Sequence, residues 1–150
     1  MYSRPVILIV EDDPQERADL VQAIGSERYA VTTARDHSAA VDRIDEHVDL
    51  VVSDIRPGQA AGLELLRVWQ ERRPEVPFVI VAEGNDVHSA VKAMKLGAAD
   101  YVAKPIRKED LPAMIAKWLA TEERKIHRDH SDQADSFDSQ NIDIPPGTSL

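Results

Sequence analysis

The sequence predicts an α/β protein whose five parallel strands follow the order 2-1-3-4-5, with helices on both faces of the sheet. Three observations support this fold class. Short apolar runs alternate with segments of helical periodicity, as in repeated strand-helix units. The runs are rich in Val, Ile and Leu, which suits strands buried on both faces. The right-handed crossover rule leaves few topologies, and this order places the first and third strands at the switch point.

The first strand and helix are predicted near the N-terminus. Residues 5–10 form an apolar run that indicates a central strand. Asp13 suits the cap of the following helix, and Pro14 suits its first position. The helix is expected to end near Gly25, because glycine commonly follows the last helical turn.

The second unit and the third strand follow the same pattern. Residues 29–33 alternate like a peripheral strand, and Asp36 is expected to cap a second helix. Residues 49–53 predict the third strand, with Asp54 at its carboxyl end. The inner face of the second helix is predicted to carry Ala39, Ala40, Val41 and Ile44.

The third helix and the fourth strand-helix unit come next. Residues 62–69 predict a helix, and residues 77–81 predict the fourth strand. Asp86 is expected to cap a fourth helix that ends at Gly97. The residues expected to point inward from this helix are Val87, Ala90, Val91 and Met94.

The last strand-helix unit precedes a change in composition. Residues 100–103 predict a short fifth strand, and a fifth helix is expected from about 108 to 128. Residues 129–150 contain five Asp and no Lys or Arg, and too few apolar side chains to offset the entropy of ordering. We therefore expect one domain over residues 1–128 and a disordered acidic tail or linker over residues 129–150.

Composition excludes several classes of protein. The chain has no cysteine, so disulfides, thiolate metal sites and cysteine nucleophiles are excluded. The net charge is −9 and no basic cluster stands out, so we expect no direct binding of nucleic acid. The longest early apolar run, residues 6–10, is too short for a signal peptide or a membrane span. We expect a cytoplasmic protein that does not enter a membrane.

Three carboxylates are predicted to converge at one edge of the sheet. Glu11 and Asp12 follow the first strand, and Asp54 ends the third. Ligands of open α/β sheets bind at the carboxyl ends of the strands. Like charges repel, so the group favours a divalent cation, and oxygen ligands indicate Mg²⁺ or Mn²⁺. The alternative is that Glu11 and Asp13 are ordinary loop and cap residues.

Lys104 follows the fifth strand and is expected to reach the same edge. A lysine there can pair with a carboxylate or with a phosphoryl group acquired by Asp54. The alternative is a solvated surface lysine. Pro105 favours the first interpretation, because the bond before a proline in a tight turn can be cis and can fix the direction of the preceding side chain.

These motifs, in this order and spacing, resemble the receiver domain of two-component response regulators, over roughly residues 4–125. The resemblance implies the flavodoxin-like receiver fold for this chain. The motifs that carry it are Ile7-Leu-Ile-Val-Glu-Asp-Asp13, Ser53-Asp54-Ile55 with Gly62 eight residues after the Asp, Ala93-Met-Lys-Leu-Gly-Ala98 and Asp100-Tyr-Val-Ala-Lys-Pro105.

The resemblance also implies a function and a set of site residues. Asp54 would take a phosphoryl group from the phosphohistidine of a histidine kinase or phosphotransfer protein. Asp12 and Asp54 would bind Mg²⁺ directly, and Glu11 would act through water. The backbone carbonyl of Arg56 would add a ligand. Lys104 would bridge to Asp54 or to its phosphoryl group, and the chain would be a phosphoacceptor rather than an enzyme.

Two features depart from the family pattern. Ala82 occupies the position where the family usually has a Thr or Ser that follows the phosphoryl oxygen. We expect the coupling of that loop to the phosphoryl group to be weakened or re-routed; the alternative is that the change has little consequence. The loop after Asp54 has Pro57-Gly58 shifted by one position, which predicts a different turn and bears on the Arg56 carbonyl.

Tyr101 lies where the family places an aromatic switch residue on its output face. A simple packing role is the alternative. That face would be formed by the fourth helix, the fifth strand and the fifth helix, through which a homodimer is expected. Residues 144–150 resemble the linkers that precede helix-turn-helix domains, which makes regulation of transcription one expected output.

Three functions follow from these residues. The first is a switch controlled by phosphorylation. The second is a pseudo-receiver that binds proteins without phosphorylation, which Ala82 favours and the acidic residues with Lys104 oppose. The third is a Mg²⁺-dependent phosphatase, but such enzymes usually carry a second Asp close behind the nucleophile, where this chain has Arg56.

Overall fold

The computed structural model describes residues 4–25, 27–54, 61–83, 87–107 and 109–120. All strands of the sheet are parallel and follow the order β2-β1-β3-β4-β5, so the predicted topology is confirmed. The strands are β1 Val6–Val10, β2 Ala30–Ala34, β3 Leu50–Asp54, β4 Phe78–Glu83 and β5 Asp100–Lys104.

A helix lies between each pair of successive strands. The helices are α1 Pro14–Ile24, α2 His37–Asp42, α3 Ala61–Arg72 and α4 Val87–Lys95. Residues 110–120 are also helical and are called α5. The chain divides into two compact units, Met1–Ile115 and a second that begins at Ala116. Residues 110–115 of α5 therefore belong to the same unit as the sheet.

The strands are buried because apolar side chains alternate between the two faces of the sheet. On one face Leu8, Val51 and Ile80 join buried residues of α2, α3 and α4 in one core cluster. The next residue on each strand points to the opposite face, and Ile9 and Val52 are fully buried there as well. Burial on both faces explains why these strands are near-continuous runs of Val, Ile and Leu.

The predicted helix caps at Asp13 and Asp36 are present. The Asp13 carboxylate accepts from the Glu16 backbone N–H at 2.8 Å, and the Asp36 carboxylate accepts from Ala39 at 2.8 Å. Each bond satisfies a backbone donor that the first helical turn leaves free. Gly25 follows α1 with a positive φ of 82°, a conformation that glycine adopts without strain.

The predicted inner face of α4 is wrong at three of its four residues, whereas the fourth, Ala90, is half-buried. Val87, Val91 and Met94 are between 46% and 67% exposed, whereas Ala93 is fully buried. Small side chains let the helix pack closely against its neighbours, and the larger apolar side chains lie on the outer side. The predicted end at Gly97 agrees with its φ of 109°, while the predicted cap Asp86 lies outside the described residues.

The fifth helix begins at residue 110, two residues later than predicted. Leu111, Met114 and Ile115 of this helix are buried. The predicted domain boundary at residue 128 and the predicted acidic tail lie outside the described residues. Within the described ranges, no helix is both long enough and apolar enough to cross a membrane.

The register brings the ends of three strands to one edge of the sheet. Val10 pairs with Ser53, Asp54 pairs with Val81, and Glu83 pairs with Lys104. The residue after β1, the last residue of β3 and the last residue of β5 therefore lie at neighbouring positions. This is the edge where the sequence predicts a functional site.

Candidate phosphoacceptor site

The centre of the site is an ion pair between Asp54 and Lys104. The Lys104 Nζ donates to Asp54 Oδ2 at 2.5 Å, and the Asp54 side chain is 3% exposed. A carboxylate so far removed from water needs a charged partner, and Lys104 supplies it. The Lys104–Pro105 peptide bond is cis, which is the isomer that the sequence suggested for a tight turn.

Lys104 remains charged in this setting. Burial alone would lower its pKa, but hydrogen bonds from the ammonium group to Asp54 and Glu16 outweigh burial and raise the pKa. Lys104 is therefore a permanent positive charge at the carboxyl end of β5. Such a charge can balance either the carboxylate now beside it or an anionic group added to that carboxylate.

Glu11 is held by hydrogen bonds directly after β1. Its backbone N–H donates to the Ala34 carbonyl at 3.0 Å, and its Oε2 accepts from the Asp13 backbone N–H at 2.9 Å. The side chain is buried, and burial raises its pKa to about 8, assisted by hydrogen bonding to Asp54 and by the Asp54 charge. Without a cation, Glu11 thus holds a proton at neutral pH.

A glutamate that the sequence prediction missed completes the group. Glu16 Oε1 accepts from Lys104 Nζ at 2.6 Å, and oxygens of Glu11, Glu16 and Asp54 lie within 4.8 Å of one another. Glu16 is three residues after the helix cap Asp13, a position that usually suggests a capping role only. The available signal was its place in the first turn of α1, which begins at the edge carrying the site.

Asp12 is the other predicted cation ligand that follows β1. It is exposed and is not part of the three-carboxylate group among the described residues. It does line a cavity of about 130 Å³ together with Glu11 and Asp54. Its role as a direct metal ligand therefore stays a prediction, and the Arg56 carbonyl lies outside the described residues.

The donor set fits a hard divalent cation. All candidate ligands are carboxylate oxygens, which suit Mg²⁺ or Mn²⁺. Burial first, and then hydrogen bonding to Asp54 and the Asp54 charge, raise the pKa of Glu11, so the ionised group is favoured when a cation balances it. Glu11 and Asp54, with Asp12 on the same cavity, are the residues that would hold the ion.

A comparison with known proteins decides the family. The chain matches the response regulator receiver domain over residues 7–116. It belongs to that family. The receiver is 30% identical over 132 residues to the response regulator SaeR of Staphylococcus aureus strain USA300, which covers 87% of this chain and 57% of SaeR. The chain thus spans little more than half of the curated relatives that it matches.

Solved structures agree with the family. A CheY-like receiver domain protein from Methanospirillum hungatei superposes with a TM-score of 0.74 at 27% identity, covering 82% of this chain and 99% of that one. NtrX from Brucella abortus, in a structure with ADP, gives a TM-score of 0.80 at 27% identity over 89% of this chain and 31% of NtrX.

The receiver's Ala82 is fully buried in β4, opposite Ala103 of β5. Its side chain is a methyl group and has no hydroxyl, whereas the family resemblance places a Thr or Ser at this position. Tyr101 lies on β5, partly buried against the core, and its hydroxyl donates to the Glu83 carbonyl at 2.7 Å. The predicted switch tyrosine is therefore tied to the residue that follows Ala82.

A cavity of about 460 Å³ gives access to the receiver's buried carboxylate. One side is formed by α1, and the other by the segment after β5. The residues that line it are Glu16, Asp19, Leu20, Ala23, Asp54, Glu83, Lys104, Pro105, Ile106 and Arg107.

Proposed function

We propose that Asp54 of this receiver accepts a phosphoryl group from a histidine kinase or phosphotransfer protein, in a reaction that depends on Mg²⁺ or Mn²⁺. The observation that supports this most directly is the Lys104 Nζ at 2.5 Å from Asp54 Oδ2. The pair lies at the mouth of the sheet, beside a cavity large enough to admit a phosphohistidine side chain. Family membership supports the same reaction.

The proposed transfer uses Asp54 as the nucleophile. A carboxylate oxygen of Asp54 forms the new P–O bond as the P–N bond of the phosphohistidine breaks, and the imidazole leaves with the electron pair of that bond. Such transfers depend on in-line positioning and charge neutralisation more than on acid-base chemistry. When bound, the cation would neutralise charge on the phosphoryl oxygens.

Lys104 and Glu11 have separate roles in this proposal. The Lys104 ammonium already lies on the Asp54 carboxylate and can follow the negative charge as it moves out to the phosphoryl group. Glu11 releases its proton when a cation binds, because ligating carboxylates must be ionised. The chain is then a phosphoacceptor that assists its own modification, rather than an enzyme with a separate substrate.

The exposed apolar side of α4 supports an output face. Val87 and Val91 lie outward, and the neighbouring β5 is an edge strand of the sheet. We infer that α4, β5 and α5 form the face that changes on phosphorylation and that pairs two receivers. Control of transcription in the cytoplasm is the proposed outcome, in line with the similarity to a response regulator.

The pseudo-receiver remains the second candidate, because Ala82 removes the hydroxyl that usually reports on the phosphoryl group. Incubation with Mg²⁺ and acetyl phosphate, followed by intact-mass measurement, separates the two. The proposal predicts the added mass of one phosphoryl group in the native chain and none in Asp54→Asn. A native chain whose mass stays unchanged would favour the pseudo-receiver.

A further inference from the structure

Lys104 has two carboxylate partners rather than one. Its Nζ lies 2.5 Å from Asp54 Oδ2 and 2.6 Å from Glu16 Oε1. The two acids differ in environment, because the Asp54 side chain is 3% exposed and the Glu16 side chain is 45% exposed. One ammonium charge is therefore shared between a buried acceptor and a second acid at the cavity wall.

Glu16 is placed there by the start of α1. Its backbone N–H donates to the Asp13 carboxylate, so the first turn of the helix is fixed at the edge of the sheet. The Asp13 backbone N–H bonds to Glu11, which leaves the Glu16 side chain free of the return bond of a capping box. The side chain extends to Lys104 instead and lines the cavity beside Asp54.

Glu16 would disfavour a phosphoryl group on Asp54 through two effects. The Glu16 carboxylate partly neutralises the Lys104 charge that such a group needs. A Glu16 oxygen also lies within 4.8 Å of an Asp54 oxygen, a distance at which two anions repel. Both effects act against an added anion.

We propose that Glu16 competes with the phosphoryl group for Lys104 and so limits how readily Asp54 is phosphorylated. This inference rests on the proposed function of Asp54 and adds a residue that tunes it. Glu16 acts through Lys104 and is a positioning residue, since it forms no bond to phosphorus. The half-exposed position of Glu16 keeps the expected effect small, at about two- to fivefold.

The test compares Glu16→Gln with Asp19→Asn. Asp19 lies one turn further along α1, lines the same cavity and accepts from Gln15 Nε2 at 3.0 Å. Its substitution removes the same charge from the cavity without touching the Lys104 contact. For both variants and the native chain, the binding of beryllofluoride with Mg²⁺ and the rate of phosphorylation by acetyl phosphate are measured.

The proposal predicts tighter beryllofluoride binding and faster phosphorylation in Glu16→Gln, by about two- to fivefold over Asp19→Asn. Equal values in the two variants would mean that only cavity charge matters and would overturn the proposal. Slower phosphorylation in Glu16→Gln would overturn it too, because Glu16 would then be needed to hold Lys104 in place.

Binding of Mg²⁺ alone separates this inference from a cation-ligand role. The proposal predicts that Glu16→Gln leaves Mg²⁺ affinity within about twofold of the Asp19→Asn value, since Glu16 bonds to Lys104. A loss of tenfold or more would assign Glu16 to the cation and overturn the competition. If the native chain takes no phosphoryl group at all, the proposed function of Asp54 fails, whatever the variants do.

Discussion

The site has two halves that differ in how they are built. The accepting half consists of Asp54, Lys104 and Glu11: Lys104 donates to Asp54, and the buried Glu11, close to Asp54, has a raised pKa. The reporting half, named from the family resemblance, consists of Ala82 and of Tyr101, whose hydroxyl donates to the Glu83 carbonyl. The structure thus brings a carboxylate, an ammonium group and a second acid together at one edge of the sheet, whereas a methyl group lies at the position expected to carry a Thr or Ser hydroxyl.

The largest expected effect is on the accepting half and depends on pH. The pKa of Glu11 is raised from 4.5 to about 8, so the folded chain holds a proton that the unfolded chain loses above its ordinary value. In EDTA, this contribution to stability is full below pH 4.5 and is lost as the pH rises through about 8. We expect a loss of about 2–4 kcal/mol across that window, measured by urea unfolding.

The matched variant is Glu11→Gln, which keeps the shape of the protonated side chain. Its stability should vary much less between pH 5 and pH 8, because the amide does not titrate. A native chain with a flat profile in EDTA would contradict the buried proton on Glu11. Added Mg²⁺ should reduce the pH effect in the native chain only, since the cation replaces the proton.

Lys104→Gln tests the charge that the accepting half relies on. We expect phosphorylation by acetyl phosphate to slow by about 10- to 100-fold, because hydrogen bonds to charged groups contribute about 1.5–3 kcal/mol. Lys92→Gln, an exposed lysine on α4, is the control and should react like the native chain. Equal rates in the two variants would show that Lys104 has no part in the reaction.

Ala82→Thr tests the reporting half by restoring the missing hydroxyl. We expect a larger phosphorylation-dependent change in α4, seen as hydrogen exchange of its backbone amides. Phosphorylation of Asp54 itself should change by less than about threefold, since Lys104 is untouched. Because Ala82 is fully buried, Ala82→Ser is a smaller second variant. An unchanged α4 response in both would remove the idea that Ala82 weakens the coupling.

Tyr101→Phe tests the other residue of the reporting half, and its expected effect is the smallest. It removes the bond from the tyrosine hydroxyl to the Glu83 carbonyl while keeping the ring. We expect a loss of about 0.5–1.5 kcal/mol in unfolding free energy, since Glu83 is exposed and can bond to water instead. A larger loss, confined to the phosphorylated chain, would make Tyr101 part of the switch itself.

Much of the fold could be predicted from local patterns and one topology rule. The alternation of apolar runs with helical segments predicted the strands and helices, and the right-handed crossover rule limited their order. The caps Asp13 and Asp36 followed from the side chains that satisfy first-turn donors. The placement of Lys104 near Asp54 followed from the carboxyl ends of parallel strands lying at one edge. These features depend on periodicity and on hydrogen-bonding groups that are visible in the sequence.

The misses depend on which side of a helix meets its neighbours. The pattern Val87, Val91, Met94 is typical of a buried face, yet the small residue Ala93 is the one that packs inward. Glu16 was missed because its helical position is consistent with a cap, and only the distance to Lys104 reveals its second role. The spacing of residues in the sequence predicts neither the inward position of Ala93 nor the contact of Glu16 with Lys104, because both depend on long-range packing.

A crystal structure of the receiver with Mg²⁺ and beryllofluoride would show whether Asp54 is the phosphoacceptor. We expect the beryllium group on an Asp54 oxygen, with Lys104 Nζ within about 3 Å of a fluoride, the cation on the carboxylates beside it, and the Glu16 contact to Lys104 lengthened. Beryllofluoride bound elsewhere, or Lys104 directed away from it, would rule out this role of Asp54.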